Sequence, residues 1–230
     1  MTGTTRSRPD VVVFDVVETL ASLDAVQASL VDAALPVELL PGWFTRILRD
    51  AMALSLAGNY AGFADVAASA LHAETRGELT DPQVQTVVAA FRRLTPQPDA
   101  AAAVRAASEA GLRVFTLSNG AAATTQDFLD RAGLSSYVER VLSIDEVRAW
   151  KPAREPYEFA VQTAGVAAEN VALVAVHSWD IHGAHAAGLT TGWCPRLEGR
   201  PTPIFAPADV TAPTLDSVVA ALLSLPQSNP

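Results

Sequence analysis

Apolar runs rich in β-branched residues alternate with helical stretches along this sequence, and the alternation predicts an α/β fold. Helix after strand, repeated, indicates a Rossmann-like parallel sheet core with helices on both faces. One long stretch interrupts the pattern and predicts an inserted all-helical cap. The strand-like runs are Val11–Phe14, Arg113–Leu117, Val138–Leu142, Val171–Val176 and Thr190–Cys194.

Capping residues mark helix boundaries in the predicted core. Asp99, the alanine-rich stretch Ala100–Ala110 and Gly111 stand in the order of an N-cap, a helix and a C′ glycine. The four residues Ser143–Glu146 have the spacing of a capping box. Residues 195–214 are rich in Pro and Ala and predict a surface loop before a last helix at Leu215–Leu225.

The stretch that interrupts the alternation is mostly helical and contains no strong strand. Asp81 followed by Pro82 is typical of a helix start with a cap and a proline in the first turn. Thr95–Pro98 contains two prolines and predicts a stiff return linker. The sequence therefore predicts a core formed by residues 1–21 and 98–230 and a helical cap formed by residues 22–97.

Composition and charge narrow the classes of partner. The 230 residues are 50% hydrophobic with a net charge of −9 and no basic block, so neither nucleic acid nor an anionic membrane is expected to bind. The polar stretch Met1–Pro9 precedes an apolar run that Asp15 and Glu18 break, so it predicts neither a signal peptide nor a membrane span. The single cysteine, Cys194, excludes an intrachain disulfide and indicates a small buried residue in a reducing, cytoplasmic setting.

Four groups of polar residues follow predicted strands in order along the chain. They are Asp15–Thr19, Ser118–Gly120, Lys151-Pro152 and His177–Asp180. Because the C-terminal ends of neighbouring parallel strands meet at one crevice, residues roughly 160 positions apart can share a site. Each group alone is a weak signal, but all four in this order predict an active site.

Asp15 has no second acid two residues later, since Val17 stands there. A carboxylate nucleophile without a neighbouring proton donor suits attack on a carbon whose leaving group departs as an anion. It suits phosphoester cleavage poorly, because a leaving alkoxide needs a proton.

The motifs resemble the haloacid dehalogenase (HAD) superfamily, and most of all its L-2-haloacid dehalogenase (type II) branch. The resemblance covers nearly the whole chain. Besides the four groups, it rests on these segments: Trp150-Lys151-Pro152 with Pro156-Tyr157, Trp179–Ala184 with Ala187–Leu189, and Trp43–Arg46 with Asn59–Phe63.

The resemblance implies a role for each residue of the site. Asp15 would attack the halogen-bearing carbon and form an ester, while Lys151 keeps Asp15 ionised and stabilises developing charge. Asp180 would orient Lys151, and Tyr157 would position Lys151 or the substrate. The remaining contacts are to carboxylates for Thr19 and Ser118, and to the leaving halide for Asn119 and a cap arginine.

Two departures from the common form of the branch stand out. Val17 and Glu18 replace Tyr and Gly, and Ala175-Val176-His177 replaces Ser-Ser-Asn. If the two loops converge, Glu18 can orient His177, whose imidazole would then deprotonate the water that hydrolyses the Asp15 ester. The alternative is that Glu18 caps a backbone turn, His177 only donates a hydrogen bond, and Asp180 handles the water.

Two residues are candidates for the cap arginine that contacts the leaving halide. Arg46 is preferred to Arg49, which lies nearly one helical turn further on; either can instead be a solvated residue paired with an acid. Candidates for an apolar wall are Phe44, Tyr60, Phe63 and Trp179, with core packing as the alternative for each. His182 and His185 lack a third ligand, so no metal site is predicted.

The sequence thus predicts a hydrolase of carbon–halide bonds that converts haloacetate and L-2-halopropionate to 2-hydroxy acids, with no metal or organic cofactor. The halogen, including fluorine, is left open, and the resemblance implies a homodimer through the cap. One alternative is a Mg²⁺-dependent phosphatase that uses Asp15, the Val17 carbonyl and Asp180 as ligands. Another is a catalytically silent binding protein with the same fold.

Overall fold

The structure, a computed structural model, describes residues 6–227, so the outermost residues of the predicted core and part of Met1–Pro9 lie outside the described residues. Six strands form a parallel sheet in the order β5-β4-β1-β6-β7-β8, and β2 pairs antiparallel with β3. The strands are β1 (Val11–Phe14), β2 (Ala21–Ser22), β3 (Thr95–Pro96), β4 (Arg113–Ser118), β5 (Arg140–Ser143), β6 (Val171–Ala175), β7 (Thr190–Trp193) and β8 (Val210–Thr211).

Nine α-helices lie within residues 6–227. Four of them stand between β2 and β3, α5 follows β3, and the other four follow strands of the large sheet. The helices are α1 (Asp24–Asp32), α2 (Leu39–Leu56), α3 (Phe63–Glu74), α4 (Asp81–Val88), α5 (Ala100–Glu109), α6 (Ala122–Ala132), α7 (Arg154–Ala164), α8 (Ser178–Ala186) and α9 (Leu215–Leu223). The α/β prediction with a parallel sheet is confirmed, whereas the division into core and cap at residues 22 and 97 stays a prediction.

The centre of the sheet sets the position of the site. All four residues of β1 are buried, as expected for a parallel strand covered on both faces. In register, Phe14 lies beside Thr116 of β4 and Val174 of β6. The chain runs outward from β1 through β4 to β5 on one side, and through β6, β7 and β8 on the other. The crevice therefore opens at the C-terminal end of β1, where the strand order changes direction.

Several local predictions need correction. Thr80, not Asp81, is the N-cap of α4, and its hydroxyl and Gln83 form the capping box. The Ser143–Glu146 capping box is present but begins only a short 3₁₀ helix. Residues 195–214 do not form a loop throughout, because two of them, Val210–Thr211, form β8 of the large sheet. Thr95–Pro98 begins with β3, since its backbone pairs with Ala21–Ser22.

Two predictions about the core agree with the structure. Cys194 follows β7 directly and is fully buried. Asp99 and Gly111 flank α5; Gly111 has a φ of +84°, which glycine adopts without strain. Among residues 6–227, no helix has the length and apolar character needed to cross a membrane.

Candidate active site

The loop after β1 presents Asp15, which is 5% exposed, at the crevice. Its backbone N–H donates to the carbonyl of Val174 at 3.0 Å, which holds the loop against β6. The hydroxyl of Thr19 donates to Oδ2 of Asp15 at 2.6 Å and accepts from the N–H of Val176 at 3.2 Å. The loop therefore fixes one oxygen of the carboxylate from the protein side.

Lys151 is fully buried and bridges two carboxylates. Its Nζ donates to Oδ1 of Asp15 at 2.7 Å, to Oδ2 of Asp180 at 2.7 Å and to the carbonyl of Leu117 at 3.1 Å. All three ammonium protons are thus used. The hydroxyl of Tyr157 donates to Oδ1 of Asp180 at 2.6 Å, so each of the four carboxylate oxygens accepts a hydrogen bond.

The charges of this cluster fix its protonation states. Burial alone would raise the pKa of Asp15, but Lys151 and His177 outweigh burial and hold that pKa well below its usual range. Burial would lower the pKa of Lys151, yet Asp15 and Asp180 raise it above its ordinary value. Burial raises the pKa of Asp180, with Asp15 adding to the rise and Lys151 opposing it. Asp15 is therefore ionised and ready to act as a nucleophile.

Glu18 and His177 come together as the dyad hypothesis requires. Nε2 of His177 lies 2.9 Å from Oε2 of Glu18, and Nδ1 of His177 lies 3.5 Å from Oδ2 of Asp15. Within the described residues Nδ1 makes no hydrogen bond, although the ring is only 7% exposed. The imidazole therefore stands between a partner acid and the nucleophile, with one nitrogen directed at each.

Glu18 adopts a left-handed backbone conformation with a φ of +65°. For a residue with a Cβ this conformation costs roughly 1–2 kcal/mol, so neighbouring contacts must hold it. The N–H of Glu18 donates to the carbonyl of Ala21 at 2.8 Å, and Gln97 donates to the Glu18 carbonyl at 3.2 Å. Strain at a residue that pairs with His177 fits a functional constraint on this turn.

The pKa of His177 is raised to about 9. Burial alone would lower it, but the close Asp15 carboxylate, the hydrogen bond with Glu18 and the charges of both acids act more strongly in the opposite direction. The imidazole is therefore protonated at neutral pH while Asp15 is a carboxylate. As predicted, the structure brings it to the nucleophile; in this state, however, it is a cation and not the free base that the sequence suggested.

The end of β4 contributes Ser118 and Asn119, both buried. Oγ of Ser118 accepts from the N–H of Gly120 at 2.9 Å, and Oδ1 of Asn119 accepts from the N–H of Lys151 at 3.2 Å. The carbonyl oxygen of Asn119 is thus engaged, so its amide nitrogen is the group that can donate to an anion.

Two cavities border the loop after β1 and share no lining residue. Cavity A, about 460 Å³, is lined by Val17, Phe63 and Ser118 among others. Cavity B, about 800 Å³, is lined by residues that include Glu18 and His177. Trp179 also lines cavity B, with its ring 6.0 Å from Nζ of Lys151.

The structure does not place the preferred arginine at either cavity. Arg46 forms an ion pair with Glu74 on α3, whereas Arg49 lines cavity B and pairs with Asp50. Of the predicted aromatic wall, Phe44 lines cavity B, while Tyr60 bonds to Asp145 and lines neither cavity. Arg49 is thus the one of the two arginines that lines a cavity, and the choice of the halide contact between them stays a prediction.

Sequence reasoning missed two residues in the loop that follows β7. Oε1 of Glu198 accepts from the N–H of Ser178 at 2.9 Å, at the start of α8 and directly after His177. Arg196 donates to the carbonyl of Thr19 at 3.0 Å and to Asp99 at 2.8 Å. Both stand in a stretch that the sequence marked only as loop, and no local pattern points to contacts with residues so distant in the chain.

The two buried acids of the site are paired with a lysine. Among the described residues, no group of three His, Cys, Asp or Glu side chains is arranged to hold a metal ion. At the site itself, the ammonium of Lys151 lies between the carboxylates of Asp15 and Asp180. Those two acids and the Val17 carbonyl were the ligands of the phosphatase alternative, and in this structure both acids are paired with Lys151.

Comparison with known proteins agrees with this geometry. A family model described as haloacid dehalogenase-like hydrolase matches residues 9–188. An (S)-2-haloacid dehalogenase from Xanthobacter autotrophicus is 33% identical over 193 residues, covering 81% of this chain and 75% of that protein. Haloacetate dehalogenase H-2 from Moraxella sp. (strain B) is 28% identical over 180 residues, covering 77% of this chain and 80% of that protein.

Solved structures show the same likeness in three dimensions. The L-2-haloacid dehalogenase from Xanthobacter autotrophicus with covalently bound chloropropionic acid superposes with a TM-score of 0.86 at 26% identity. The match covers 94% of this chain and 99% of that one. The predicted resemblance and the prediction of a hydrolase are thus confirmed, and the chain belongs to the haloacid dehalogenase-like hydrolases, beside the L-2-haloacid dehalogenases.

Proposed function

We propose that this protein hydrolyses short 2-haloalkanoic acids, such as haloacetate and L-2-halopropionate, to 2-hydroxy acids through an ester of Asp15. The observation that carries the proposal is a buried, ionised carboxylate held by Lys151, with Val17 where a proton donor would otherwise stand. The nucleophile is prepared for attack, and no second carboxyl group stands two residues after it to protonate a leaving group. Halide, which leaves as an anion, needs only donors.

In the first step an oxygen of Asp15 attacks C2 of the acid from the side opposite the halogen. A C–O bond forms as the carbon–halogen bond breaks, and the halide leaves with the bonding electron pair. Backside displacement inverts C2. Lys151 and protonated His177 offset the repulsion between the substrate carboxylate and Asp15, and the amide nitrogen of Asn119 would donate to the halide.

Formation of the ester removes the negative charge that helps to keep His177 protonated. The pKa of the imidazole then falls, so Nδ1 gives up its proton and can accept one from water, while Glu18 holds Nε2. The resulting hydroxide attacks the ester carbonyl of Asp15, the bond from carbonyl carbon to alkoxide oxygen breaks, and the alkoxide takes the proton that His177 holds. The new carboxylic acid of Asp15 then passes its proton to the imidazole. The products are the 2-hydroxy acid and a regenerated Asp15 carboxylate.

The test is halide release from L-2-chloropropionate and bromoacetate in the presence of EDTA. Wild type should release halide and Asp15→Asn should not, while Asp127→Asn, which changes an exposed aspartate on α6, should match wild type. Mg²⁺-dependent turnover of a phosphoester without halide release would contradict the proposal and favour a phosphatase. No turnover in either assay would contradict it in favour of a binding role.

The water-activating role of His177 has its own test. His177→Ala should form the Asp15 ester but hydrolyse it slowly, so intact-protein mass spectrometry should detect the added carboxyalkyl group after brief exposure to bromoacetate. Ester turnover at the wild-type rate in this variant would assign the water to Asp180 instead.

The two arginines of α2 form a matched pair for the halide site. Arg49→Gln should weaken inhibition by free bromide and raise KM, because Arg49 lines cavity B. Arg46→Gln should leave both unchanged, because Arg46 pairs with Glu74. The reverse result would restore Arg46. Homodimer formation through residues 22–97 and a cytoplasmic location stay predictions, and neither bears on the choice between Arg46 and Arg49.

A further inference from the structure

Cavity A is larger than the smallest proposed substrate requires. Its volume of about 460 Å³ lies in the range of pockets that hold whole small-molecule ligands, roughly 300–1,000 Å³. Haloacetate carries no carbon chain beyond the reacting carbon and would leave most of this space unfilled. The remaining volume has room for a substrate with a longer carbon chain.

Cavity A borders the loop that presents Asp15, although Asp15 itself is not among its lining residues. The lining includes Val17, two residues after Asp15, and Ser118 at the end of β4. Strand β4 is paired directly with β1, so the Ser118 hydroxyl and the Asp15 loop stand side by side at one sheet edge. A substrate carboxylate at Ser118 would therefore place the rest of the molecule in cavity A.

Beyond Ser118 the walls are mostly apolar. Three phenylalanine rings from different elements line the space: Phe63 at the start of α3, Phe91 after α4, and Phe128 on α6. Phe63 and Phe91 pack edge to face with ring centroids 4.7 Å apart. Charged side chains of both signs, Arg92 and Asp65, lie among the exposed lining residues. The inner lining therefore suits an uncharged hydrocarbon chain.

We infer that cavity A receives the C2 substituent of the substrate, and that this chain prefers 2-haloalkanoic acids of butanoate to hexanoate length over haloacetate. The inference rests on the proposed function and names its substrate class. Each methylene moved from water into the apolar cavity should raise kcat/KM about fourfold.

The first experiment measures bromide release from 2-bromoacetate, 2-bromopropionate, 2-bromobutanoate and 2-bromohexanoate. In wild type, kcat/KM should rise along the series. Thr124→Phe changes the α6 face that lines cavity A. It should reduce the kcat/KM advantage of bromohexanoate over bromoacetate about tenfold, the equivalent of nearly two methylenes, and leave kcat/KM for bromoacetate unchanged. Ala123→Phe, on the exposed side of the same helix, is the matched control.

Each result decides the inference. Bromide release from bromoacetate with rates that fall as the chain lengthens, or equal slowing of all acids by Thr124→Phe, would overturn it and leave the proposed function standing. No bromide release from any acid would overturn the proposed function and this inference with it. Circular dichroism checks folding, and Ala89→Phe, from the facing wall after α4, takes the place of Thr124→Phe if that variant unfolds.

Discussion

The His177 imidazole should make the protein less stable as pH rises. Its pKa is raised from 6.5 to about 9 in the folded state, because Asp15 and Glu18 outweigh the effect of burial. A group with a raised folded pKa contributes stability that is complete below the unfolded pKa and is lost as pH passes the folded pKa. The affected window is therefore pH 6.5 to about 9, and stability decreases across it.

The size of the effect follows from the two pKa values. The shift of His177 corresponds to about 3 kcal/mol of folding free energy, since each pKa unit is worth about 1.4 kcal/mol. The ring is only 7% exposed, so solvent screening does not greatly reduce this figure. Relative to a total stability of about 5–15 kcal/mol for a typical protein, the loss is large enough to measure.

Urea unfolding at intervals from pH 6 to pH 10 tests the reasoning. Because other groups also titrate, the comparison is between wild type and His177→Gln, which keeps a polar side chain but does not bind a proton. Wild type should lose about 3 kcal/mol more than the variant across the window. His185→Gln, which removes an exposed histidine of α8, is the control for loss of an imidazole.

Parallel curves for wild type and His177→Gln between pH 6.5 and pH 9 would refute the account. They would mean that the contacts of His177 with Asp15 and Glu18 do not favour its charged form. The proposed change of His177 from cation to base on ester formation would then lose its basis, because that change depends on the same charges.

Two further substitutions probe the packing of the site. Glu18→Gly should relieve about 1 kcal/mol of backbone strain, which thermal unfolding would detect, whereas Glu18→Gln should leave the strain in place. Glu18→Gly should also make the Asp15 ester accumulate, which mass spectrometry would detect. Gly183→Ala should lower kcat and destabilise the fold by about 1–3 kcal/mol, because the new Cβ would lie 2.5 Å from the hydroxyl of Tyr157. Gly42→Ala in α2, with its nearest contact at 4.0 Å, should be tolerated in the same assays.

The sequence was most informative where local pattern and tertiary position coincide. The run Val11–Phe14 is a strand as predicted, because a fully buried parallel strand must be apolar on both faces. The carboxylate that ends this run reaches the crevice because parallel strands place their C-terminal ends together. Val138–Leu142 was less well placed: the strand covers Arg140–Ser143, since Val138 ends a short 3₁₀ turn first.

Which arginine lines cavity B could not be predicted from the local sequence, because it depends on how α2 is rotated. Both arginines lie on that helix, and only the packing of α2 against its neighbours decides which faces cavity B. Positions 41, 44, 45, 48, 49 and 52 line the cavity, which is the repeat of one helix face, and Arg46 falls outside it. Arg196 was missed for a related reason, because its contact with Thr19 spans 177 residues of chain.

Val17 and Glu18 are best interpreted together. Val17 leaves Asp15 without a second carboxyl group two residues later, the position from which a carboxylic acid would protonate a leaving group in the first step. Glu18, held in a costly left-handed conformation, instead directs its carboxylate to His177 at 2.9 Å, from which the second nitrogen faces Asp15. Through Glu18 the loop thus supports the imidazole of His177, whose second nitrogen would activate water in the second step. This arrangement supports the proposed carbon–halide hydrolysis, in which the first leaving group departs without a proton.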